Sequence, residues 1–206
     1  MEHGNVIVRF SGVTFGYDEE KPLLEEAEFS IRDNAKITLM GQNGAGKSTI
    51  FKLLRGVAKP QEGAIHIEVG ATVAIALQVI PREWMQDTVR EFFARAFTEH
   101  HYNLDARIKS ALETVNLNAD LEKPLKDFSG GQQARLLLAH ALIQEPDILL
   151  LDEPTNNLDQ AGIEHLTAFL IMYPKTVLVI SHDADFLNMF TEGVLHLDAY
   201  THKVDQ

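Results

Sequence analysis

Four short stretches concentrate the residues able to do chemistry. GQNGAGKST, from Gly41 to Thr49, places three glycines around a turn and follows them with a lysine and two hydroxyls. Such a backbone can wrap closely round an anion, and Lys47 adds a cation. ILLLDEPTNNLD ends an apolar run in two adjacent acids, Asp152 and Glu153. VLVISHD ends a second apolar run at His182. FSGGQ, from Phe128 to Gln132, sets two glycines after a serine and before a helix-like run, again a loop offering N–H groups to an anion. One small chain thus carries two phosphate-seeking turns, and the second needs a reason.

The first loop is a full match to G-x-x-x-x-G-K-[ST] between a strand-like and a helix-like segment, the phosphate-cradling pattern of nucleotide-binding proteins. Gly41, Asn43, Gly44, Ala45, Gly46, Lys47, Ser48 and Thr49 form the expected nucleotide-binding set. Lys47 would reach the β- and γ-phosphates, and Ser48 would offer its hydroxyl to Mg²⁺. In that setting Asp152 is placed to hold Mg²⁺ through water. Glu153, one residue further on, could polarise an attacking water. His182 alone reads as an ordinary surface or core histidine. At the mouth of a parallel sheet, where ligands bind beyond the carboxyl ends of strands, it becomes a site candidate.

These residues need elements to hold them. NVIVRF, VTFGY, KITLM, AIHIEVG, TVAIAL, ILLLD and TVLVIS read as strands. Helical patterns follow at Lys47 to Leu54, with Gly56 as a stop, in DTVREFFARAF and LDARIKSALETV, after FSGGQ as far as Pro146, and from about 161 to 170. The alternation predicts an α/β protein whose parallel sheet is covered on both faces. A helical insert is expected at about 80–125, within a single domain spanning 1–206.

Composition sets limits. The 206 residues carry a formal charge of −12, so a surface that grips nucleic acid all over is excluded, although a local basic patch is not. There is no cysteine, hence neither disulfide nor thiolate chemistry. No apolar run approaches ~20 residues, so direct membrane insertion is not expected. The first ten residues lack the pattern of a signal peptide, and the expected location is cytoplasmic. His100 and His101 beside Tyr102 read as a solvated helix end rather than a metal site. Trp84, Phe92, Phe93 and Phe97 read as packing for the insert or as a docking surface.

Taken together, the motifs resemble the ATP-binding cassette family, from about Val6 to about Asp198. They fall in that family's order: Tyr17 as the aromatic A-loop, the Gly41–Thr49 loop as Walker A, Gln78 as the Q-loop, FSGGQ as the signature with Phe128 for the usual leucine, LLLDE as Walker B, NNLD as the D-loop, and His182 as the H-switch. The resemblance implies a P-loop NTPase core, a mostly parallel sheet with an antiparallel β edge and the helical subdomain. It implies ATP and Mg²⁺ as ligands, with hydrolysis to ADP and phosphate. It also gives the second loop its reason. In this family two cassettes pair head to tail, and the signature of one closes on the γ-phosphate held by the other. Ser129, Gly130, Gly131 and Gln132 would therefore act in trans, on a nucleotide that this chain's own Walker A does not hold. Tyr17 would stack on adenine, or is a strand-end core tyrosine. Gln78 would touch Mg²⁺ and the attacking water, alongside Glu153 and His182. Asp159 would couple the two sites, cap a helix, or do both.

DEPTNNLD and ISHDADFLN resemble the ABC-F group more than transporter cassettes, although Ala184 replaces a usual arginine. That implies one half of a twin-cassette protein acting on ribosomes. Its partners would be the missing second cassette, or a second copy of itself in vitro, and the ribosome. The alternative is the motor subunit of a membrane transporter, docked on an integral partner. A DNA-repair or chromosome-type cassette would carry large inserts, and the sequence has none.

Overall fold

The computed structural model describes residues 5–18, 21–97, 102–200 and 202–205. His100, His101 and the first four residues lie outside this set. Among the described residues, nine strands and six α-helices run in the order β1 (Val6–Asp18), β2 (Lys21–Arg32), β3 (Lys36–Gly41), α1 (Lys47–Leu54), β4 (Glu62–Ile67), β5 (Val73–Ala76), α2 (Val89–Ala94), α3 (Leu104–Thr114), α4 (Gly130–Leu142), β6 (Ile148–Asp152), α5 (Gln160–Met172), β7 (Thr176–Ile180), α6 (Ala184–Phe190), β8 (Gly193–Leu197) and β9 (Val204–Asp205).

The central sheet has six strands in the order β5-β6-β7-β3-β8-β9, parallel except for β9. A separate antiparallel sheet, β2-β1-β4, lies beside it. Alternation explains why β6 and β7 are apolar at nearly every position. Leu149, Leu151, Val177 and Val179 face a core shared with α4, α5, α6 and the helical insert. Ile148, Leu150, Leu178 and Ile180 face a core shared with α1 and the antiparallel sheet. A strand buried on both faces needs both.

Two expected strands are one. NVIVRF and VTFGY join into β1 through a register shift near Gly12, whose φ of 59° suits a bulge. The helix after FSGGQ also stops early, at Leu142, and Glu145 turns the chain with a φ of 52° before Pro146 is reached. α2 and α3 both lie within the stretch expected as the helical insert. Phe92 and Phe93 of α2 are fully buried, and Trp84 and Phe97 pack against the core they belong to.

His140, near the end of α4, stacks on Phe92 with ring centroids 4.4 Å apart. Its Nε2 is buried without a partner among the described residues. Burial pulls its pKa from 6.5 down to about 4, although a bond with the Phe92 backbone opposes the shift. An unfolded chain therefore takes up a proton that the folded chain refuses between pH 6.5 and 4. Stability is full above 6.5 and falls as pH drops through that window, by about 3 kcal/mol in all. Urea unfolding at pH 7 and pH 4.5 should show wild type losing clearly more stability than His140→Leu. Equal losses would contradict the assignment.

Candidate functional site

The carboxyl ends of β3, β6 and β7 open into one cleft of 380 Å³. Pairing fixes its floor. Asp152 lies level with Ile180 across β6 and β7, which brings the acids beside the segment leading to His182. Tyr17, Asn43, Gly44, Gly46, Lys47, Ser48, Thr49, Asp152, Glu153 and His182 all line the cleft. Ten of the sequence-derived candidates thus converge.

The loop between β3 and α1 needs its glycines. Gly41 has a φ of 149°, and a Cβ there would meet the Leu197 carbonyl at 2.5 Å. Gly46 caps α1 with a φ of 98°, a conformation that side chains rarely adopt. Ala45 is buried beneath the loop. The Lys47 ammonium donates to the carbonyls of Gly41, at 2.6 Å, and Gln42, at 3.0 Å. It is thus held across the turn at the start of α1, where N–H groups concentrate positive potential.

Asp152 is a half-buried acid at the end of β6. Its carboxylate has no hydrogen-bond partner among the described residues. Burial raises its pKa, and the Lys47 charge pulls it back. A desolvated carboxylate beside a serine hydroxyl is an oxygen donor set that suits a hard cation such as Mg²⁺. Glu153 takes a φ of 50°, uncommon for a side-chain-bearing residue, and its N–H is pinned to the Ile180 carbonyl at 2.8 Å. Its side chain is only 14% exposed, and Oε1 lies 3.3 Å from His182 Nε2. The His182 N–H reaches Oε2 at 3.4 Å. Acid and imidazole therefore form a unit, with the acid inside and the histidine, 66% exposed, at the rim.

Tyr17 is exposed, not a core residue. Its ring meets Phe15 edge-on at 5.2 Å, and its hydroxyl accepts from Lys52 Nζ at 2.8 Å. Gln78 does not line this cleft. It is exposed two residues beyond β5, in a smaller crevice that shares Glu153 with the main one.

The signature stands apart from the cleft. Ser129 caps α4 in a reciprocal box, in which its hydroxyl accepts from the Gln132 N–H and its own N–H donates to Gln132 Oε1. Phe128 is buried and anchors the loop. A Cβ at Gly131 would come 2.8 Å from the Asn157 carbonyl, so the D-loop packs directly on the signature glycine. Asp159 caps α5, accepting from the Gly162 N–H at 3.0 Å, and Arg135 of α4 approaches it at 3.5 Å. Helix capping is thus one of the roles open to Asp159.

Sequence reasoning missed Leu23, Lys52 and Ile180 in the cleft wall. Lys52 had a signal, since it is four residues from Ser48 on α1 and so shares its face. Leu23 lies on β2, whose acid-rich sequence hid the strand.

The ABC transporter family matches residues 24–156, and the chain belongs to it as an ATP-binding cassette. Within that family it is most like a single nucleotide-binding domain of the ABC-F group. It is 31% identical to the energy-dependent translational throttle protein EttA of Mycobacterium tuberculosis, over 87% of this chain and 38% of that protein. It is 35% identical to the ATP-binding protein Uup of Buchnera aphidicola, over 85% of this chain and 30% of that protein. The chain thus spans about a third of the length of the curated relatives it matches. Solved structures agree on the fold. A bacterial Atm1-family ABC exporter with ATP bound superposes with a TM-score of 0.81 at 23% identity, covering 100% of this chain and 40% of that one. A dimeric post-hydrolysis ATP-binding cassette bound to ADP and Pi gives 0.82 at 24%, covering 97% of each. Among the described residues no helix is long and apolar enough to cross a membrane.

Proposed function

We propose that this cassette binds and hydrolyses MgATP in composite sites shared with a second cassette, and that the protein containing it acts on translation. The observation that carries the catalytic reading is the convergence of Lys47, Asp152 and the Glu153–His182 unit in one cleft. The signature's place outside that cleft supports its use on a partner's nucleotide.

Lys47 and the N–H groups at the start of α1 would bind the β- and γ-phosphates. Ser48 and, through water, Asp152 would hold Mg²⁺, with Gln78 reaching it from the adjoining crevice, and the bound ion would supply charge screening for the phosphates. Glu153 would accept the proton of the attacking water as that water's oxygen bonds to the γ-phosphorus and the bond to the β–γ bridging oxygen breaks. His182 would hold the Glu153 carboxylate in position. Tyr17 would stack on adenine. The partner's copy of Ser129, Gly130, Gly131 and Gln132 would cap the γ-phosphate and exclude water. All 206 residues would form one domain carrying half of each site.

The translation reading rests on the relatives, since EttA is named for throttling translation. It is tested on the full-length protein with the catalytic glutamate of each cassette changed to glutamine. That form should co-sediment with ribosomes in MgATP and release progressively as salt rises, because RNA contacts displace counterions. The isolated acidic cassette should bind far less.

A transporter motor is the second reading. A 200 Å³ groove between β5 and the insert, lined by Arg55, Trp84, Phe92, Arg95 and His140, supports it as a dock for an integral partner. Sedimentation with membranes instead of ribosomes would favour this reading.

A further inference from the structure

Lys52 lies on the exposed face of α1, in the wall of the nucleotide cleft, one helical turn beyond Ser48. Its ammonium donates to the Tyr17 hydroxyl at 2.8 Å and is 5.1 Å from the ring centroid. Tyr17 is 65% exposed, and its only ring neighbour among the described residues is Phe15, which meets it edge-on with centroids 5.2 Å apart. A plate so exposed on a strand end has several rotamers open to it. Phe15 supports one edge, and the hydroxyl end is fixed only by polar contacts.

We propose that Lys52 is a positioning residue of the nucleotide site, holding the Tyr17 hydroxyl so that the ring is preorganised to receive the nucleotide base. The inference rests on the reading of Tyr17 as the base-stacking residue. The geometry gives Lys52 a different task from Lys47. Lys47 is tied to the loop carbonyls at the phosphate end, whereas Lys52 is tied to the aromatic end. A ring already fixed loses less freedom when the base arrives, which raises affinity without touching the reacting atoms. The base end is common to ATP and ADP, so the gain should be the same for both.

The Lys52 hydrogen bond is the first cause lowering the Tyr17 pKa, with Thr49 second. Tyr173, by contrast, is pushed up to about 12 by burial. The two phenols are thus shifted in opposite directions.

The test measures MgATP and MgADP affinities of the 206-residue chain by calorimetry. The variants are Lys52→Met, Tyr17→Phe, Tyr17→Ala and the Lys52→Met/Tyr17→Phe pair. Lys52 is exposed, so the fold should persist. Lys52→Met and Tyr17→Phe should each weaken both nucleotides by roughly threefold to tenfold, and the pair no more than either alone. Ultraviolet titration of Lys52→Met, taken as a difference from the same protein carrying Tyr17→Phe, should show the Tyr17 phenol moved to higher pH. A Lys52→Met loss confined to MgATP would place the ammonium on the phosphates and overturn the proposal. Fully additive losses, or an unmoved phenol, would also overturn it. If Tyr17→Ala weakens binding while Lys52→Met and Tyr17→Phe do not, the positioning role fails and base stacking survives. If Tyr17→Ala has no effect, the stacking reading itself falls, and the proposal with it.

Discussion

Replacing Glu153 with glutamine should lower ATP turnover by roughly 10²- to 10⁴-fold, the range a general base supplies, while MgATP affinity stays nearly unchanged. The geometry separates the two effects. Glu153 is held at the end of β6 by its N–H bond to Ile180 and by the contact with His182, whereas the phosphates are proposed to fall to Lys47 and the α1 N-terminus. Glutamine is close in size and keeps a carbonyl oxygen toward His182, but it cannot accept the proton. Lys47→Ala should do the opposite and weaken nucleotide binding itself. Phosphate release measured at saturating ATP, with calorimetric affinity beside it, checks both. Turnover near the parent rate in Glu153→Gln would remove that residue from the chemistry.

Ser129→Arg should abolish turnover to a similar degree by a different route. Ser129 caps α4 and lies outside the cleft, so arginine there leaves the chain's own nucleotide pocket intact. Its bulk and charge would fill the place where a partner's γ-phosphate must enter. The lost cap costs about 1 kcal/mol, small for a helix whose buried leucines are packed into the core. The expected pattern is unchanged MgATP affinity of the single chain, with no nucleotide-dependent dimer by light scattering. Lost affinity in the monomer would mean that the signature serves its own site.

The site was more legible than the scaffold that holds it. Most of the Walker A loop, with Asp152, Glu153 and His182, stood out because phosphate chemistry demands particular residues at particular spacings, and the fold brings these side chains to one cleft. The buried strands β6 and β7 were legible for a related reason, since only a two-faced core tolerates such apolar runs. β2 was not. Its sequence, KPLLEEAEFSIR, carries three glutamates and owes its strand form to pairing with β1, a non-local cause. Gly12 hid the continuity of β1, because a bulge and a turn read alike in a sequence. Gln78 has a position in the motif order but lies outside the main cleft, because backbone geometry beyond β5 rather than residue type decides where it points. The close packing of Gly131 on Asn157 was invisible for the same reason, being a contact between backbones distant in sequence.

If each nucleotide is served by loops from two chains, two inactive variants damaged in different loops should restore activity when mixed. Ser129→Arg keeps a sound Walker A loop, and Lys47→Ala keeps a sound signature. In a head-to-tail pair of the two, one site combines both sound loops and the other combines both damaged ones. Phosphate release is measured for each variant alone and for the mixture, at a concentration where the unmodified chain is active. The expected result is two nearly inert proteins whose equal mixture recovers activity, up to about a quarter of wild type given random pairing of symmetric partners. A mixture as inert as its components, beside an active wild type, would contradict it.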